Sequence, residues 1–355
     1  MIIESTSIGL DVHARSVVGA AIDGETGELH RRRMTPDENE ILAWVRSLPA
    51  PVRVVYEAGP TGFGLARFLI GNGVQCVVAA PSKLARPAGD RVKTDARDAL
   101  LLARLLRLGE IVAVTVPSVD QECARDLVRA REDCRGDLMR ARHRLSKLLL
   151  RHGLVYPQGK AWTKLHERWL NAQHFESPVL QTTFDASYEA VLMIGARRDR
   201  LDAVIEAMAL NCEYTPIVRR LSCLRGISTL TGFALAVEIG DWNRFNGSTI
   251  ASFMGLVPSE HSSGASRSQG SITKTGNSHA RRLLVEAAWH HKKDTEPPAR
   301  RCGRAGSWPR PRQQQEVIKV TSDCISAGRA SQIARKGRSL PMLPSPARWP
   351  DGAGP

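Results

Sequence analysis

Apolar residues in the first third of the chain fall into short β-branched runs separated by stretches with helical spacing. Residues 7–10 (Ser-Ile-Gly-Leu) and 17–22 (Val-Val-Gly-Ala-Ala-Ile) predict strands. The turn-rich segment 23–28 (Asp-Gly-Glu-Thr-Gly-Glu) then folds the second strand onto residues 29–32 as a hairpin. Ile41, Leu42, Val45 and Leu48 share one face of a helix predicted over about residues 36–48. A strand over 52–56, a helix near 64–70 and a strand over 75–80 follow. Strands before and between helices predict an α/β domain.

The pattern changes near residue 120. From there to His152 an apolar stripe of Leu127, Val128, Leu138, Leu145, Leu148 and Leu149 runs along a long helix, with arginines on its other faces. Residues 157–178, with Pro157, Trp162, Trp169 and Pro178, interrupt it, and a second long helix is predicted over about 188–210. Helical patterns resume past Pro216, residues 258–276 read as a polar, serine-rich flexible loop, and residues 283–291 as an amphipathic helix. Beyond His291 helical spacing is lost. Residues 292–355 hold 13 Lys and Arg against 5 Asp and Glu, with 9 of the chain's 20 prolines. Such a segment buries too little apolar surface to offset the entropy of ordering, so disorder is expected. The expected division is 1–118, 119–212, 213–291 and the tail 292–355. Out-of-frame translation of a decayed gene would account for the tail.

Charge narrows the function. Fifty Lys and Arg against 36 Asp and Glu give a formal net charge of +14, which points to a polyanionic partner. With only 5% aromatic residues, phosphate contact is expected rather than stacking of single-stranded bases. Arg140, Arg144 and Lys147 on the long helix, and Arg267, Lys274 and Arg281 further on, are the expected contacts. Seven widely spaced cysteines without a Cys-x-x-Cys pair argue against a zinc ribbon or disulfide framework and for a reducing, cytoplasmic setting. No signal peptide and no membrane-spanning run is evident.

Four carboxylates stand out against this basic background. Asp11 and Glu57 each close an apolar run, which places them at strand ends, where an unpaired charge is costly. Asp95 and Asp98 lie three apart at a helix entrance and so share a face. Clustered carboxylates of this kind suit a pair of hard divalent ions. Taken singly, each acid reads better as an ordinary structural residue: Asp11 as a turn after a strand, Asp95 as a helix cap and Asp98 as half of a surface pair with a nearby Arg; the order of all four within their motifs is what argues otherwise.

The motifs Gly9-Leu10-Asp11-Val12-His13, Glu57-Ala58-Gly59-Pro60-Thr61-Gly62 and Val92-Lys93-Thr94-Asp95-Ala96-Arg97-Asp98-Ala99 resemble those of bacterial insertion-sequence transposases that carry an Asp-Glu-Asp-Asp tetrad. So do Gly255-Leu256-Val257-Pro258, Ser262-Ser263-Gly264 and Ile272-Thr273-Lys274-Thr275-Gly276-Asn277. That group includes Piv-type DNA invertases and RNA-guided recombinases. The resemblance runs to about His291 and implies a ribonuclease H-like (RuvC-like) N-terminal domain, a coiled-coil-like helical middle and a mostly α C-terminal domain carrying a serine site. It implies that Asp11, Glu57, Asp95 and Asp98 bind Mg²⁺ and that Ser262 or Ser263 is a nucleophile joining DNA covalently. Two DNA duplexes, a structured guide RNA and a homodimer or homotetramer are the implied partners. This chain reads Ser-Ser-Gly-Ala-Ser where relatives carry Ser-Ser-Gly-Gly-Lys, which removes a cation beside the serines. Residues 221–235 resemble a helix-hairpin-helix, with Ser228 in place of its second glycine. Two alternatives stand beside this reading: a catalytically inactive nucleic-acid-binding remnant, and an actin-like kinase, suggested by Ile8-Gly9-Leu10-Asp11 but without a second glycine-rich phosphate loop.

Overall fold

The computed structural model describes residues 5–84, 94–264 and 266–290. The expected tail, 292–355, and Val92 and Lys93 lie outside the described residues. The chain divides into two units, 1–119 and 120–355.

Unit 1 is a six-stranded mixed sheet covered by helices. Its elements are β1 (Thr6–Val12), β2 (Val17–Ile22), β3 (Leu29–Met34), α1 (Glu38–Arg46), β4 (Val52–Glu57), α2 (Gly64–Gly71), β5 (Gln75–Ala79), α3 (Asp95–Arg107) and β6 (Ala113–Val114). The strand order is β3-β2-β1-β4-β5-β6. β1 runs antiparallel to β2 and parallel to β4, β5 continues parallel to β4, and β6 returns antiparallel. This mixed α/β arrangement is consistent with a ribonuclease H-like fold. The two-residue β6 was not foreseen; so short a strand has no period to read.

Both faces of the inner strands are covered, which explains the nearly continuous apolar runs of β1, β2 and β4, whereas the edge strand β3 is mostly exposed. On one face Ile8, Leu10, Val54 and Tyr56 pack with Ile41, Trp44, Val45 and Leu69 of α1 and α2. On the other, Val55 and Ala79 meet Leu102 and Leu106 of α3. Gly9 sets how closely α3 approaches. A Cβ built there would lie 2.0 Å from the Ala99 carbonyl oxygen and 2.6 Å from the Ala103 nitrogen. Since both are backbone atoms of one helix, Gly9→Ala must push α3 off the sheet, at a cost of about 2 kcal/mol. Urea unfolding measures this, and a wild-type midpoint would show that α3 slides freely.

Unit 2 is mainly helical: α4 (Val119–Arg151), α5 (Lys164–Asn171), α6 (Pro178–Leu210), α7 (Thr215–Leu221), α8 (Thr229–Ile239), α9 (Gly247–Phe253), β7 (Pro258–Ser263), β8 (Ser266–Ile272) and α10 (Ser278–Ala288). One core joins Leu138, Leu145 and Leu149 of α4 to Leu170, Phe184 and Val191. A second joins Ala124 and Val128 to Ile205, Phe233, Leu235, Met254 and Leu284. Arg131 of α4 forms a two-bond pair with Asp202 of α6, at 2.6 and 3.3 Å.

Three local expectations are corrected. α6 begins at Pro178, ten residues before the expected start, because proline is favoured at a first helical position and Ser177 caps it by accepting from the Leu180 amide. The tryptophan-containing interruption holds its own helix, α5, capped by Thr163. Residues 258–272, read as a flexible loop, form the β7–β8 hairpin instead. Ser263 pairs with Ser266 across a two-residue connection that opens with Gly264 at φ +57°, the backbone such hairpins require. Most of the hairpin is exposed on both faces, so no apolar alternation announces it.

Candidate active site

Strand register builds the first part of the site. Leu10 of β1 pairs with Tyr56 of the parallel β4, so the next residues, Asp11 and Glu57, are lateral neighbours. Gly9 and Val55, two residues back on the same strands, both meet α3, which puts the two acids on the α3 side of the sheet. There α3 opens with Asp95 and Asp98 in its first turn. Thr94, not Asp95, caps it, its hydroxyl accepting from the Arg97 amide at 3.3 Å, so Asp95 is not spent on capping.

Ligand-type atoms of Asp11, Asp95 and His13 lie within 4.8 Å of one another. His13 Nε2 is 3.2 Å from Asp11 Oδ2 and 3.9 Å from Asp95 Oδ1. His13 belongs to the first motif but had been given no role; its position two residues beyond a strand carboxylate was the available signal. The Asp11 carboxyl is pushed above the usual carboxylate range. Burial is the main cause, outweighing His13, and the negative charges of Asp95 and Asp98 push the same way. The register therefore puts Glu57 beside Asp11, and Asp98 acts on the same carboxyl. Carboxylate oxygens gathered in this way fit a hard divalent cation.

The serines of unit 2 occupy the end of the β7–β8 hairpin. Side chains alternate across it, so Ser262 and Glu260 share one face and Ser263 takes the other. Ser262 Oγ donates to Glu260 Oε1 at 2.7 Å, while Arg267 and Gln269 donate to Glu260 Oε2 at 2.8 and 3.3 Å. These bonds, the Arg267 bond foremost, hold the Glu260 carboxyl down to about 2. Glu260 was missed because an acid in a serine-rich stretch reads as solubilising.

A buried charge braces the hairpin exit. Glu238 of α8 is 4% exposed and accepts two bonds from Arg129, at 3.0 and 2.9 Å, and one from Asn277 Nδ2 at 2.7 Å. His279 Nδ1 lies 3.2 Å away. Burial alone would raise the Glu238 carboxyl, but the bonds from His279, Arg129 and Asn277 bring it to about 2. Asn277 also caps α10, accepting from the Ala280 amide. The turn before it is tight: a Cβ at Gly276 would lie 2.0 Å from the Phe253 carbonyl oxygen, and Lys274 takes φ +57°.

The expected nucleic-acid contacts divide. Arg140, Arg144 and Lys147 are exposed on α4, although Arg140 also pairs with Asp137. Lys274 is exposed. Arg267 is held by Glu260, and Arg281 spends one nitrogen on the Met254 and Thr275 carbonyls, which makes it a brace as placed. In residues 222–228, Ser228 caps α8 and Gly226 packs against the Ala287 carbonyl, the geometry of a capped turn between core helices. Cys76, Cys123, Cys134, Cys212 and Cys223 are free thiols, and no described helix is long and apolar enough to cross a membrane.

Comparison with known proteins gives two family matches. Residues 8–153 match the transposase family model of DEDD and IS110 type. Residues 218–302 match the model described as the transposase IS116/IS110/IS902 family. The y4qE protein of Sinorhizobium fredii, named as a transposase, is 37% identical over 291 residues, covering 80% of this chain and 71% of that protein. The transposase for insertion sequence element IS1533 of Leptospira borgpetersenii is 33% identical over 293 residues, covering 80% and 85%.

Proposed function

This chain belongs to the IS110/IS116 family of insertion-sequence transposases, enzymes that cleave and rejoin DNA, and on that premise we propose that Asp11, Glu57, Asp95 and Asp98 hold Mg²⁺ for strand cleavage. Convergence of the Asp11 and Asp95 carboxylates beside His13 carries the reading. A divalent cation bound there supplies Lewis-acid stabilisation of charge on the phosphoryl oxygens. His13, in contact with both carboxylates, orients them. The actin-like kinase alternative has no support in this membership.

Ser262 or Ser263 supplies the nucleophile. Its Oγ forms a bond to phosphorus as the bond to the adjoining deoxyribose oxygen breaks, and the serine proton is balanced by protonation of that departing oxygen. Exposure of both serines on a hairpin held by Glu260 supports this. DNA is the substrate, a structured RNA guides target choice, and two or four copies assemble.

An adduct assay tests the proposal. The full chain is mixed with labelled duplex from its own element's ends, and protein–DNA species stable to denaturant are counted. The adduct should form with Mg²⁺, fail in EDTA and vanish in Ser262→Ala/Ser263→Ala, the single variants identifying the attacking residue. An adduct surviving the double substitution places the nucleophile elsewhere. None in the unaltered chain would favour an inactive remnant.

A further inference from the structure

The α3 side of the sheet carries one continuous row across four strands. Glu57 lies beside Asp11, Asp11 is opposite Val18, and Val18 is opposite Arg33. Neighbouring strands are about 4.8 Å apart, so Arg33 is rooted roughly 10 Å from Asp11 on the same face. One row back, Gly9 is opposite Ala20 and Ala20 opposite Arg31, which puts Arg31 on that face too. A groove here is lined by Val18, Arg31 and Arg33 of the sheet and by Thr94 and Asp95 at the start of α3. It joins a cationic wall to the acidic cluster.

The three arginines of β3 are not equivalent. Arg32 alternates to the α1 side, where it lies 3.8 Å from Glu40. Arg31 and Arg33 are exposed and have no carboxylate partner among the described residues; Arg33 reaches only the Ser16 hydroxyl, at 3.3 Å. Charge on an edge strand also guards against strand pairing between molecules. That role asks nothing of the groove and nothing of Asp95 across it. A ligand satisfying both walls must present anionic groups to the arginines and lead onward to a site for cations. A phosphodiester strand has that chemistry.

We propose that Arg31 and Arg33 seat the sugar–phosphate backbone of the DNA strand that enters the acidic site, each contacting one phosphate. This rests on the reading of the acidic cluster as the place where DNA is cut. Arginine suits the task because its fork of donors matches two phosphate oxygens.

Salt dependence tests the contact without cleavage. The full chain in EDTA binds a fluorescent DNA duplex, and log affinity is plotted against log salt. Each phosphate contact contributes about 0.9 to the slope. Arg31→Gln and Arg33→Gln should each reduce the slope by about 0.9 and the double variant by about 1.8, while Arg46→Gln on α1 leaves it unchanged. Asp11→Asn should keep the full slope, so failure of the metal reading and failure of this one are separable. An unchanged slope in the double variant overturns the proposal. So does an equal loss in Arg46→Gln, or a loss confined to an RNA duplex of the same length.

Discussion

Asp11→Asn should lower DNA strand cleavage by about a thousandfold or more while making the metal-free protein more stable. The rate effect follows from the role proposed for Asp11 as a metal ligand: Lewis-acid stabilisation is worth several kcal/mol, and each 1.4 kcal/mol is tenfold. The stability effect follows from the raised Asp11 carboxyl. A carboxyl raised above its unfolded value favours the fold only where it is protonated, and that contribution is lost as pH climbs through the folded value. Ionisation of Asp11 therefore works against folding, and a neutral isostere relieves that cost. A melt in EDTA, a cleavage assay with Mg²⁺ and a DNA-binding titration read the three consequences. Binding should stay within about twofold, since the proposed phosphate contacts fall to arginines and lysines and not to Asp11. Full cleavage by Asp11→Asn would remove Asp11 from the metal site.

Glu238→Ala should destabilise unit 2 by about 3 kcal/mol. Removing one member of a buried ion pair ordinarily costs 3–5 kcal/mol, roughly, and the low end applies because Arg129 is half-exposed and can rehydrate. Asn277 and His279 lose an acceptor as well. The pH dependence has a definite sign. With its carboxyl depressed to about 2, Glu238 contributes stability that is complete above its unfolded value near 4.5 and is lost as pH falls from there toward 2. Urea titrations at pH 7 and pH 3 should show a large gap between wild type and Glu238→Ala at the higher pH and a small one at the lower. Equal stability at pH 7 would mean that the brace contributes nothing. Because Asn277 both binds Glu238 and caps α10, the variant should also loosen the turn that leads out of β8.

Some of the site was legible before any coordinates. Asp11 and Glu57 ended apolar runs, and Asp95 and Asp98 opened a helix; all four stand where those patterns placed them. What escaped were partners brought in by register or by packing. His13 gained meaning only when α3 set Asp95 against it. Glu238 drew no notice in the sequence, because its partner Arg129 lies 109 residues away. Ser262 and Glu260 looked like loop residues because an exposed hairpin buries too little to leave a pattern.

The chain by itself determined its α/β beginning, its long helices, its cationic excess and the order of its motifs. Those properties are local: burial of a strand face or a helix stripe imposes a period on residues a few positions apart, and charge simply adds. Tertiary structure alone decided that Asp11 stands next to Glu57, that Arg33 falls in their row and that a buried carboxylate ties α8 to α4 and α10. Those are matters of register and of contacts between distant segments, and a one-residue slip along a strand would turn every side chain to the opposite face while leaving the sequence pattern unchanged.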